Sequence, residues 1–121
     1  SKLQPKPGIE GKRVWIGEYG FPTCNVSPAE QDCLSRQVMR TGLDWGCPFI
    51  LYWEMYSNEL DKDGKQRGFW MIDDKNQKQP IYVTHEKLYA QARAYIADFQ
   101  KRSGRVPTFD EYRKKAVEWL Q

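Results

Sequence analysis

The run Cys47-Pro48-Phe49-Ile50-Leu51-Tyr52-Trp53-Glu54 constrains the fold more than any other stretch of this chain. It has strand length and is almost continuously apolar, the pattern of a β-strand covered on both faces. Strands of that kind belong to parallel sheets, whose crossover helices lie over them. One other strand-like run precedes it, Val14-Trp15-Ile16-Gly17-Glu18-Tyr19-Gly20. Simple alternation there puts Val14, Ile16 and Glu18 on one face and Trp15 and Tyr19 on the other. Between the two runs, Ser27-Pro28-Ala29-Glu30 supplies an N-cap serine, a proline at the first helical position and a glutamate placed for a capping box. The spacing predicts a helix over 28–41, closed by Gly42. Strand, helix, strand, with a crossover long enough for parallel pairing, predicts a βαβ unit in an α/β fold.

Beyond Glu54 lies a long polar excursion. Asp61-Lys62-Asp63-Gly64 reads as a hairpin tip, and Gly68-Phe69-Trp70-Met71-Ile72-Asp73 leads into a turn over 74–79. A connection of this length is expected to carry function or partner contacts. Pro80 opens a second long helix with one apolar stripe, Leu88, Ala92, Tyr95, Ile96 and Phe99, ending near Ser103-Gly104. Thr108 and Glu111 then form another capping box, and Phe109, Tyr112, Ala116 and Leu120 line one side of a terminal amphipathic helix. Residues 1–12, with Pro5, Pro7, Gly8 and Gly11 among charges, read as an irregular lead-in.

Two strands that want burial on both faces do not make a stable sheet, and 121 residues leave room for one domain. The chain is therefore expected to complete a larger sheet formed with another chain or segment. With 19 Lys and Arg against 16 Asp and Glu, the signs are too balanced for a phosphate-tracking surface, so nucleic acid is not an expected partner. No apolar run approaches the roughly 18–20 residues that cross a bilayer, and no apolar stretch follows the basic start as in a signal peptide, so no membrane is expected either. Glu59, Asp61, Asp63 and Gly64 match the first half of a calcium-loop spacing, but Trp70 stands where the bidentate glutamate belongs. Cys24, Cys33, Cys47 and the sole histidine, His85, lack the paired short spacings of a zinc site. No metal and no cofactor is expected. His85 is expected to be exposed at the start of its helix. Cys24 and Cys33 are close enough in sequence to bridge in an oxidising compartment, and the sequence leaves their geometry open.

Four segments in order carry a resemblance: Trp15-Ile16-Gly17-Glu18-Tyr19-Gly20, Phe49-Ile50-Leu51-Tyr52-Trp53, Gly68-Phe69-Trp70-Met71-Ile72-Asp73 and Lys78-Gln79-Pro80-Ile81-Tyr82. Together they resemble the C-terminal end of the cellulase-like retaining glycoside hydrolases, the clan A group of (β/α)8 barrels that includes family five. In that group the seventh strand ends in a Gly-Glu-aromatic-Gly pattern whose glutamate is the nucleophile, and the eighth ends in a sugar-stacking tryptophan. A Gly-apolar-apolar-Asp turn with Lys-x-Pro-x-Tyr then leads into the last helix. The resemblance covers roughly residues 12–100 and implies the C-terminal βαβα portion of a TIM barrel. Residues 1–102 would be that portion, with lead-in 1–12 and the seventh and eighth βα units in 13–102, and 103–121 an appended helix. A whole barrel needs about 250 residues, so the first six units, including the fourth strand whose Asn-Glu carries the acid/base, are not in this sequence. Asn58-Glu59 follows the eighth strand and does not take that role.

What the resemblance implies is retaining hydrolysis of β-glycosidic bonds in oligo- or polysaccharides, a reaction that needs two carboxyl groups about 5–5.5 Å apart. Glu18 would be the catalytic nucleophile, at the C-terminal end of a strand where barrel active sites are built. Read alone, it is a glutamate before a glycine turn. Trp53 would floor the sugar subsite beside it; by periodicity alone it is a core tryptophan. Tyr19, Tyr56, Asn58 and Glu59 would reach substrate hydroxyls from the loops, where ordinary loop polarity is the other reading of each. The partners implied are a glycan and a complementary N-terminal barrel segment, and the implied location is secreted or periplasmic. An alternative of a different class is a noncatalytic carbohydrate-binding or assembly module, with Trp53, Trp70 and Tyr56 as an aromatic platform.

Overall fold

A computed structural model describes residues 14–121; the lead-in expected over 1–12 lies outside the described residues. The described chain is a small α/β protein with the element order β1 (Ile16–Tyr19), α1 (Pro28–Trp45), β2 (Ile50–Tyr52), α2 (Pro80–Ser103) and α3 (Phe109–Trp119). β1 and β2 pair in parallel, as the crossover through α1 requires. Both strands are shorter than the apolar runs that announced them.

The pairing contains one irregularity that redirects side chains. Ile16 lies opposite Ile50 and Tyr19 opposite Tyr52, so three steps on β1 match two on β2, and β1 carries one extra residue in a bulge. Strict alternation of Val14, Ile16 and Glu18 is therefore broken. Ile16 lies against α1, its Cδ1 within 3.3 Å of where a Cβ on Gly42 would sit. Tyr19 joins Ile50 and Tyr52 against the core under the helices, whereas Gly17 and Glu18 are exposed. Tyr19 thus does not share a face with Trp15, which is 59% exposed with its indole nitrogen close over Gly17.

α1 begins as the sequence indicates, with Ser27 Oγ accepting the Glu30 N–H and Glu30 accepting the Ser27 N–H. It ends one turn later than expected. Gly42 is an interior helical residue, buried because the helix rests on the sheet there: a Cβ would come within 2.6 Å of Ile50 Cδ1. The terminating residue is Gly46, left-handed at φ 96°. α2 runs from Pro80 to a left-handed Gly104, and α3 starts with Thr108 and Glu111 capping each other. Arg105 adds two hydrogen bonds of 2.8 Å to the same Glu111 carboxylate. Those bonds, with the one from the Thr108 backbone N–H, hold the Glu111 carboxyl down at about 2.

The core lies on the helix side of the sheet, where Met39, Met71, Ile81 and Leu120 cluster with Tyr19, Ile50 and Tyr52 packed against them. α3 shares in it: Ala116 and Leu120 are buried, and Trp119 meets Tyr95 of α2 edge-on. Arg113 of α3 donates to the carbonyls of Leu43, which also accepts the Gly46 N–H, and Asp44 in the last turn of α1. The opposite face of the sheet is open. Phe49 is 64% exposed and Leu51 54%, so among the described residues β2 is covered on one face, not two. His85 departs from expectation too. It lies in the second turn of α2, half-buried, with Nδ1 2.9 Å from the Ile81 carbonyl and its ring against Tyr52, and burial pulls its pKa below the ordinary 6.5.

Candidate functional site at the strand ends

Parallel strands bring their C-terminal ends to the same edge of the sheet, and here that edge is joined by one short backbone bond: Trp53 N–H donates to Tyr19 O at 2.7 Å. Gly20 makes the approach feasible, since a Cβ on it would lie 2.2 Å from the Trp53 carbonyl oxygen. The Trp53–Glu54 peptide is cis. Glu18, immediately before Tyr19, is exposed, and Trp53 is 37% exposed. The carboxylate turn and the indole turn are thus neighbours at one end of the sheet.

The excursion after β2 forms the floor of this edge. Its first part folds back through a bridge between Leu60 and Gln66, with Asp61 Oδ1 accepting the N–H groups of Asp63 and Lys65 at the tip. Its second is a bridge between Ile72 and Lys78 around a turn in which Asp73 Oδ1 accepts Lys75 and Gln77 N–H. Between them, Gly68 and Phe69 bind the strand ends together. Phe69 O accepts Glu54 N–H and the Tyr52 hydroxyl, while Gly68 O accepts Thr23 N–H and the buried Gln31 amide. Gln31 also donates to Phe21 O, so one side chain of α1 holds both loops. No sequence pattern pointed to Gln31, a polar residue with nothing around it to mark it as buried.

Of the residues singled out from sequence, the structure brings Glu18 and Trp53 to this edge and leaves Tyr56 60% exposed beyond it. Asn58 is exposed, and its backbone N–H donates to Glu54 Oε1. Tyr19 is turned toward the core. Its ring meets Tyr52 edge-on at 5.3 Å, its hydroxyl is buried without a hydrogen-bond partner, and burial pushes its pKa upward, with the nearby Tyr52 adding to the shift. It supports the site from below rather than facing a ligand. Glu59 is already engaged by protein groups. Its Oε1 accepts the Trp53 indole N–H at 2.9 Å and its Oε2 accepts Arg67 at 2.9 Å, so its carboxylate is committed within the protein. Trp70 is half-buried, packed near Gly68.

Among the described residues no group of three or more His, Cys, Asp or Glu side chains could hold a metal ion, and no helix is long and apolar enough to cross a membrane. All three cysteines are free thiols, Cys24 and Cys33 exposed and Cys47 buried. Comparison of the chain with protein-family models, with curated proteins and with solved structures finds no match.

Proposed function

We propose that this chain is the portion of a (β/α)8 barrel made by its seventh and eighth βα units, and that it supplies the nucleophile of a retaining β-glycosidase or endo-β-glycanase. The observation that carries the reading is the edge just described: two parallel neighbours whose C-terminal ends present an exposed glutamate on one and an exposed tryptophan on the other. The open apolar face, with Phe49 and Leu51 unpacked, supports it as the face that further strands would turn into a barrel interior.

In this mechanism the Glu18 carboxylate attacks the anomeric carbon of a sugar seated against Trp53 and forms a glycosyl ester. The bond to the departing sugar breaks as its oxygen takes a proton from an acid/base carboxyl in the complementary segment. That same group then removes a proton from water, which attacks the anomeric carbon and frees Glu18 with the starting configuration retained. Glu59 is not assigned the acid/base role, because it follows the strand that ends in Trp53, whereas that role falls to the fourth strand. Polysaccharide as substrate puts the enzyme outside the cytoplasm, secreted or periplasmic.

The test mixes the chain with a fragment carrying the first six βα units of such a barrel and follows release of nitrophenol from aryl β-glycosides. Turnover is expected in the mixture and in neither part alone, and Glu18→Gln should lower it by about 10³-fold or more with the fold retained. Unchanged turnover removes Glu18 from the reaction. The exposure of Trp53 and Tyr56 also favours a noncatalytic reading, a carbohydrate-binding platform. Glycan binding without hydrolysis, indifferent to Glu18→Gln, selects that one.

A further inference from the structure

Glu59 is a charged group at the strand ends that the proposed reaction does not use, and its surroundings are built. Its partner Arg67 is fixed twice more: the Arg67 N–H donates to Glu59 O at 2.9 Å, and its guanidinium lies 4.9 Å from the centroid of the Phe69 ring. Phe69 in turn is anchored through its carbonyl to Tyr52 and Glu54. A chain of contacts therefore runs from the core tyrosine through Phe69, Arg67 and Glu59 to the indole nitrogen of Trp53. A partly exposed tryptophan would ordinarily exchange between rotamers, and a flip of its ring plane would carry Nε1 to the other side. One bond to a carboxylate whose other oxygen is held by Arg67 opposes that flip, and charge assistance strengthens it.

We infer that Glu59 is a positioning residue for carbohydrate, which with Arg67 fixes the plane of the Trp53 indole so that an open ring face is preset for a pyranose. This deepens the proposed function and rests on the sugar-stacking role of Trp53 within it. Glu59 acts through Trp53 and does not touch the sugar. Because its charge is matched by Arg67 and the indole N–H is already engaged, Trp53 offers the ligand a flat apolar face and no hydrogen bond. Preorganisation of that face reduces the ordering cost of binding.

The experiment is heteronuclear NMR on the full chain, with the Trp53 Nε1–H cross-peak assigned by its loss in Trp53→Phe. In Glu59→Ala that peak should move toward the position of a solvent-exposed indole and exchange with water about tenfold faster, and Glu59→Gln, which keeps an acceptor oxygen, should recover much of both. Titration with cellohexaose, followed at the same peak, should show binding roughly five- to tenfold weaker in Glu59→Ala, with Glu59→Gln between. An unchanged peak in Glu59→Ala, or cellohexaose binding equal to wild type, overturns the positioning role alone. A peak that responds to Glu59→Ala while cellohexaose leaves the wild-type chain unaffected overturns the sugar-stacking role of Trp53, and the inference with it. If Glu59→Ala does not fold, Arg67→Ala, which keeps the acceptor but releases the other Glu59 oxygen, should move the peak and speed its exchange in the same direction by a smaller amount, and an unchanged peak overturns the inference.

Discussion

The two faces of the β1–β2 pair are made by alternate residues of the same few positions, yet they are in different states. On the helix side, Ile50 and Tyr52 pack toward a core closed by α1, α2 and α3, and a Cβ on Gly42 would meet the Ile50 side chain at 2.6 Å. On the other side, Phe49, Leu51 and Trp53 stand in the open. The contrast teaches that helix packing alone is enough to fix the strands, and that the second face has to be explained by something other than the stability of the described residues.

That contrast can be broken first at the core. Ile81 has no exposed surface, and Ile81→Ala is expected to cost about 2–5 kcal/mol in a urea titration, through lost burial and the cavity left behind. A cost below about 1 kcal/mol would mean that the helix side is not the close-packed region described. The sharper comparison uses sequence neighbours. Ile50→Ala, on the half-buried helix side, should cost about 1–3 kcal/mol, whereas Leu51→Ala, more than half exposed, should stay within about 0.5 kcal/mol in the isolated chain. Addition of a complementary barrel fragment should raise the Leu51 cost toward that of Ile50; equal costs before addition would erase the difference between the faces. The smallest effect is the dependence on acid at His85. Burial lowers its folded-state pKa below the ordinary 6.5, so protonation favours the unfolded chain. Stability should be full above pH 6.5 and decline as the pH falls through that value. Thermal melts of wild type and His85→Gln at several pH values would show this as a slope that the variant lacks, and a parallel pair of curves would count against it.

What was legible in the sequence was what adjacent residues decide. Both capping boxes, the proline that opens α2 and the glycine that closes it followed from motifs a few residues long, and the parallel pairing from the order strand, helix, strand. The misses came from contacts that close in space. Gly42 looks like a helix stop until Ile50 is placed against it. The extra residue in β1 has no signature, because a bulge is a property of the pair and alternation is read from one strand. His85 is sheltered by Tyr52, 33 positions earlier, and Tyr19 is turned inward by the same bulge that leaves Glu18 outside. The placement of Glu18 and Trp53 at one edge of the sheet was readable from their positions at the ends of the two runs. The Trp53–Glu59 bond spans six residues of loop, a separation with no helical or strand period to announce it.

Gly20 gives the strand ends a property that no side chain could supply. The position a methyl group would take there is filled by the backbone oxygen of residue 53, so the gap between the two turns is gauged by a missing carbon. Even alanine would act as a wedge, driving the acidic and aromatic turns apart.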